Sequence, residues 1–197
     1  MQPVGGWQTV RKEIMKKATM ISGVFNRLMD ATKAFCSKTN RNPCYHFIRL
    51  EFHAETDEVV AVAIDGYRMS VEHAVANSEE DFFIYVQSNI KLPGNSVVEF
   101  ELVDGEAIIR CNGFIFGYKQ PIGEFLDWEK VIPTSDVQYK IAFNGDYLLS
   151  ALQAAKASVG SRFKTPVVLE FRSPNEPILL RTNKDDVKMV LPVRLRE

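Results

Sequence analysis

Most of what would announce a chemical reaction is missing from these 197 residues. Of the three histidines, His46, His53 and His73, none has ligand-like spacing, and all fall on or beside strand-like stretches. The three cysteines, Cys36, Cys44 and Cys111, are odd in number and unpaired in spacing, which excludes a disulfide framework or a zinc box and points to reduced, buried thiols. There is no glycine-rich phosphate loop and no nucleophile elbow. Asp65 and Asp127 are the most pointed acids, but each lies in a turn, where aspartate usually bonds its own backbone. We therefore expect no catalytic residue, no metal and no cofactor. No stretch approaches the ~20 apolar residues of a membrane span, and Met1 to Trp7 has no apolar leader core, so a cytoplasmic location is expected. The formal charge of -1 gives the whole molecule no attraction to a polyanion.

What is present is the material of a folded core. Hydrophobic residues make up 46% of the chain and charged ones 25%, which sets it apart from disordered sequences. From Arg11 to about Ser37 the apolar residues recur at spacings of three and four, and the spacing predicts one helix. The period then falls to two. Ile48, Leu50 and Phe52 alternate with Arg49, Glu51 and His53, followed by strands over 59–64 and 69–75. Strands over 97–103, 106–111 and 114–119 are joined by Asp104-Gly105 and Asn112-Gly113, the residue pairs that tight antiparallel turns prefer.

A stretch with Pro121, Gly123 and Pro133 reads as a linker. Beyond it come a strand ending at Phe143, a helix capped by Asn144 and stopped at Gly160, and strands over 167–171, 178–181 and 187–193. The last contains Pro192, which cannot donate to a ladder and so suits an edge or the lining of a groove. Leu50-Glu51-Phe52, Val98-Glu99-Phe100 and Leu169-Glu170-Phe171 each open a three-strand set, so a repeated helix-plus-meander unit is expected. In the second set the stretch 87–96 is too short and too rich in glycine and proline for a helix.

Charge is unevenly spread. Between residues 11 and 41 stand Arg11, Lys12, Lys16, Lys17, Arg27, Lys33, Lys38 and Arg41, opposed by Glu13 and Asp30: eight minus two leaves +6. A basic helix face aimed at a nucleic-acid backbone is one reading, and a solvated helix face is the other. For the first, Lys16, Lys17, Arg27, Lys33, Lys38 and Arg41 are the candidate contacts. No aromatic ladder interleaves them, so base stacking is not expected.

Three segments carry a family resemblance. "AIDGYRMSV" (63–71) resembles the A-T-D-G-H-R-L turn of the bacterial sliding clamp, DNA polymerase III subunit beta, with Ile64, Tyr67 and Met69 as departures. "FLDWEKVIP" (125–133) is similar to its F/Y-P-D-Y-x-R-V-(L/I)-P segment, with Leu126 for proline and Lys130 for arginine. Leu191-Pro192-Val193-Arg194-Leu195 is similar to its terminal M-P-M-R-L. The resemblance implies an α+β clamp fold with outer sheets and inner helices, and a peptide-binding pocket. It assigns Ile64, Gly66, Tyr67, Arg68 and Met69 to that pocket from the first segment. It assigns Leu126, Lys130 and Val131 from the second, and Met189, Leu191, Pro192, Val193 and Arg194 from the third.

Residues 1–133 resemble the family's middle domain without its second helix, and 134–197 only the latter half of its last domain. The implied role is a non-enzymatic processivity factor that binds duplex DNA without reading sequence. Its expected partners are DNA polymerase and clamp-loader peptides, with assembly as a homo-oligomer. A clamp-like regulator or decoy that forms no ring is the alternative. An enzyme would need a polar cleft with perturbed acids, which the residues do not offer.

Overall fold

Alternation of period two governs most of the chain, and it builds sheets. The computed structural model describes residues 15–159 and 166–194. Expectations resting on Arg11, Lys12, Glu13, Gly160 and Leu195 lie outside those residues. The chain forms two compact units, one ending at Trp128 and the other beginning at Glu129.

The first unit starts with a correction. Residues expected to open a long helix form strand β1 (Lys16–Ile21), and helix α1 covers only Ser22–Thr32. Within β1 the buried residues are Ala18 and Met20, a spacing of two, while β-branched Thr19 and Ile21 favour extended backbone. The three turns of α1 bury Phe25, Leu28 and Met29 on one face.

After α1 come β2 (Phe47–His53), β3 (Glu58–Ile64), β4 (Met69–Val75), the short β5 (Asn77–Ser78) and β6 (Phe82–Gln87). The expected meander follows as β7 (Val97–Val103), β8 (Glu106–Cys111) and β9 (Phe114–Lys119). Asp104, Gly105, Asn112 and Gly113 all have positive φ at its two turns, as primed turns require.

The pairing explains how two meanders become one body. The strand orders are β5-β1-β7-β8-β9 and β4-β3-β2-β6. β1 precedes the first meander in sequence but pairs antiparallel with β7, the opening strand of the second. β6 precedes the second meander but pairs with β2, the opening strand of the first. Each half thus lends its leading strand to the other. At the centre Phe52 and Phe100 meet with ring centroids 5.3 Å apart, with Phe82 stacked on Phe52 at 4.8 Å and Phe25 against Phe100 at 5.9 Å. Burying one such ring is worth about 1.5–3 kcal/mol. The second half has no helix over 88–96, as its length predicts. Instead the Asn26 amide of α1 clamps that stretch, donating to Leu92 O at 2.8 Å and accepting from Leu92 N at 3.0 Å.

The second unit is smaller. Helix α2 (Gly145–Ser158) is capped as expected, the Asn144 side chain accepting from the backbone N–H of Asp146 and Tyr147. Three strands follow: β10 (Val168–Glu170), β11 (Ile178–Arg181) and β12 (Lys188–Val190). They form one antiparallel sheet, over which Ala155, Ile178, Leu180 and Val190 are buried. The strand expected to end at Phe143 is reduced to a single bridge between Ala142 and Val193. The terminal strand is also shorter than expected, and Pro192 lies beyond β12 because its nitrogen cannot continue the ladder.

Candidate functional site

The hairpin between β3 and β4 supplies the most ordered feature among the candidate residues. The Asp65 carboxylate accepts from the backbone N–H of Tyr67 at 2.9 Å and of Arg68 at 3.1 Å. It also accepts from Arg68 Nε at 2.8 Å. This is the backbone-bonding role expected of a turn aspartate. Gly66 takes φ +95° at the tip, where a Cβ would be strained and would meet the Asn40 amide at 3.3 Å. The Arg68 hydrogen bond, and then the Tyr67 amide, hold the Asp65 carboxyl below its ordinary value. Arg68 is fixed in turn, donating from Nη2 to Ala34 O at 2.7 Å with its guanidinium 5.1 Å from the Phe35 ring centre.

The result is a rigid turn from which Tyr67 projects fully, 100% exposed. Its neighbours face the other way. Ile64 is buried and Met69, its cross-strand partner, packs with it against Val60 and Val62.

Sequence spacing gave no sign that Tyr67 and Arg68 share a surface with Lys33 and Lys38. All four line one depression of about 540 Å3 beside Cys36 and Ser37. The signal was the 34-residue gap bridged by Arg68 and Ala34, which no local pattern reveals. Burial pushes the Cys36 thiol up to about 11, so it stays protonated and unreactive at neutral pH.

The second segment is anchored on the first unit by its aromatics. Phe125 packs edge-on against Tyr45 at 5.7 Å, and Trp128 Nε1 donates to the Glu51 carboxylate at 3.3 Å. Leu126, between them, is half-exposed. Beyond the unit boundary a single 3-10 turn, Glu129–Val131, carries Lys130 and an exposed Val131.

The chain-end candidates belong to the second unit. Val193 N donates to Ala142 O at 2.8 Å, which pins the stretch after β12 to the one leading into α2. Met189, Leu191 and Val193 are all exposed large apolar residues, Leu191 at 64%. Pro192, Val193 and Arg194 line a depression of about 550 Å3 with Pro174 and Asn175.

The basic candidates are not one helix face, which corrects the expectation. Lys16 and Lys17 stand on β1, and α1 itself carries only Arg27 against Asp30, a net charge of zero. Four of the six are ion-paired: Lys16 with Glu80 at 3.3 Å, Lys17 with Glu101 at 3.7 Å, Arg27 with Glu72 at 3.4 Å, and Lys33 with Asp30. The folded chain has brought in acids from β4, β7 and the loop before β6, which a window over residues 11–41 cannot see. Lys38 and Arg41, exposed in the loop after α1, make no ion pair among the described residues.

No family model and no curated protein matches this sequence. Solved structures do match its fold. A DNA polymerase III beta subunit from Eubacterium rectale superimposes with a TM-score of 0.78 at 14% identity, over 89% of this chain and 50% of that one. The sliding clamp from Bacillus subtilis gives 0.75 at 14% identity, over 89% and 49%. The clamp from Pseudomonas aeruginosa bound to griselimycin gives 0.74 at 16% identity, over 90% and 51%. The chain therefore has the sliding-clamp fold, and it spans about half the length of each of these proteins.

Proposed function

We propose that the chain is a sliding-clamp-like processivity factor: it binds, without catalysing a reaction, both duplex DNA and short apolar peptides of the replication machinery. A cytoplasmic location and a homo-oligomeric state belong to the same reading; no helix among the described residues is long and apolar enough to cross a membrane. The observation that carries the peptide half is Tyr67. A fully exposed aromatic costs less to desolvate than a polar residue, and here a carboxylate-bracketed turn holds it in place before any ligand arrives. Leu126, Val131, Met189, Leu191 and Val193 are exposed apolar residues that fall on the segments resembling the clamp pocket. Arg68 and Arg194 are suited to the peptide backbone or to an acidic neighbour.

Each buried Leu or Phe anchor contributes roughly 1.5–3 kcal/mol before ordering costs, so two anchors supply about 3–6 kcal/mol, an affinity between millimolar and tens of micromolar. Calorimetry with a Gln-Leu-x-Leu-Phe type peptide tests this. Tyr67→Ala is a cleaner probe than Met69→Ala, because Met69 also packs in the core. Tyr67→Ala and Leu191→Asp, made separately, should each weaken binding about tenfold or more. Two folded variants that bind as the parent does would remove the peptide reading.

A second reading is favoured by the ion pairs. With Lys16, Lys17, Arg27 and Lys33 already matched to acids, the positive surface left for a duplex is small. A clamp-like regulator that binds peptides without holding DNA would show the same calorimetry and no salt-dependent DNA binding.

A further inference from the structure

We propose that the second unit is completed by the second unit of another copy of this chain, through two-fold exchange of the stretch leading into α2. The inference rests on the fold alone, and loss of DNA or peptide binding would not touch it.

The first unit provides the template. Its two halves are held together because β1 pairs with β7 and β6 with β2, in matching registers. Ala18 lies opposite Phe100 in one pair, and Phe82 lies opposite Phe52 in the other. Leu50, Val98, Phe52 and Phe100, the apolar residues of the two repeated tripeptides, are at most 1% exposed as a result.

The second unit reproduces one such half, residue for residue. Ile178 lies opposite Val190 as Val59 lies opposite Ala74. Three residues further on, Val193 bridges Ala142 just as Asn77 pairs with Thr19. The short β5 and the Val193 bridge are thus the same device, a clip on the stretch before the helix. Among the described residues the second unit shows no other half. Only residues 129–138 stand ahead of its leading stretch, with one 3-10 turn and no strand among them.

Two edges are therefore open whose counterparts in the first unit are paired, β1 with β7 and β2 with β6. β10 has a neighbour on one side only, and the leading stretch is bridged only at Ala142. The residues left uncovered are the equivalents of the buried ones: Leu169 is 41% exposed and Phe171 45%. An open strand edge above apolar side chains is a template for another strand. A second copy fits because the template is itself two-fold: each half offers what the other needs, so two identical halves satisfy both edges at once.

Transferring the register of β1 and β7 places Ile141 of one copy opposite Phe171 of the other, and Ala142 opposite Glu170. Phe171 would meet its own mate across the axis as Phe52 meets Phe100. The like-charged pair that this register makes, Lys140 with Arg172, is offset by Glu170, which accepts from Arg172 at 3.0 Å.

Sedimentation and light scattering on the full chain test the proposal. The parent should self-associate at micromolar concentration. Phe171→Asp should raise the dissociation constant at least about 100-fold. Ile141→Pro should do the same without touching the Val193–Ala142 bond, because alternate residues of a strand present their N–H to opposite edges. Circular dichroism confirms that both variants fold. Ala142→Cys mixed with Glu170→Cys should give a disulfide-linked dimer on oxidation, which neither variant gives alone. A parent that is monomeric at high micromolar concentration overturns the proposal. So does an oligomer that survives either substitution, or a mixture that yields no cross-link.

Discussion

The tripeptide that opens each meander has two fates. On β2 and β7 its apolar residues are buried to 1% or less, while Leu169 and Phe171 at β10 stay close to half-exposed. The strands carry nearly the same letters. What differs is the second half. In the first unit a reciprocal strand exchange brings Phe52 and Phe100 together, and among the described residues the second unit has no other half to supply the cover. Burial here belongs to the pairing of two half-units and not to the strand sequence.

Core truncation is the strongest way to sharpen that contrast. Phe100→Ala removes a ring touching both Phe25 and Phe52, and should cost about 3–5 kcal/mol in urea unfolding because the cavity cannot collapse fully. Phe171→Ala, measured on dissociated chain, should cost about 1 kcal/mol or less, since water already reaches the ring. Equal losses would mean that Phe171 is core in solution and that the contrast is false.

The same contrast governs what the sequence made legible. The meander of β7 to β9 was readable to the residue, because Asp104-Gly105 and Asn112-Gly113 fix turn positions locally. So was the Asn144 cap. β1 was misread because Phe25, Leu28 and Met29 in the true helix lent their period to the residues before it. β5 and β6 went unread: one is two residues long, and the other, FFIYVQ, is buried at Phe82, Ile84, Tyr85 and Val86 and shows little alternation. Among site residues, the turn role of Asp65 was legible from Asp-Gly alone. The pairing of Arg27, Lys16 and Lys17 with acids 45 to 84 residues away was not, because it exists only after the sheets form.

Charge reversal should give the next largest effect. Lys38→Glu with Arg41→Glu removes two cations unpaired among the described residues, whereas Arg27→Glu with Lys33→Glu removes two that Glu72 and Asp30 already balance. If the duplex is held near the end of α1, the first pair should lower the slope of log K against log salt by about 2 and cost about one to two orders of magnitude at 0.1 M salt. The second pair should change the slope by less. Fluorescence anisotropy across a salt series decides, and no DNA binding by the parent would favour the regulator reading.

Helix starts give a smaller contrast. α2 is capped by the Asn144 side chain, so Asn144→Ala should cost about 1 kcal/mol, read as faster hydrogen exchange in α2. α1 has no side-chain cap. Its first residue, Ser22, instead accepts from Ser96 N at 3.0 Å and donates its own N–H to Ser96 O at 2.8 Å. Ser22→Ala should therefore expose exchange at Ser96 as well as in the helix, which a cap alone would not do.

The smallest effect is a titration confined to the β3–β4 turn. Asp65 has a folded pKa depressed below 3.8, chiefly by the Arg68 hydrogen bond. The sign follows from linkage. A depressed acid contributes stability that is fully present above its unfolded value, near 4, and is lost as pH falls through the lower folded value. At neutral pH the contribution is therefore complete, and it fades only in acid. Because Arg68, the partner in the pair, is exposed to solvent, the stability change should be slight, and the pKa is the better readout. Arg68→Met should raise the Asp65 pKa toward its ordinary value, measured by carboxyl-carbon NMR. It should also free the tip, lowering the order parameters of Gly66 and Tyr67. If the pKa rises but the tip stays rigid, the Asp65 bonds to the Tyr67 and Arg68 amides suffice to hold the turn, and Arg68 is free to serve a ligand. If neither changes, the Arg68–Asp65 pair does not form in solution, and the preorganisation argued for Tyr67 rests on the amides alone.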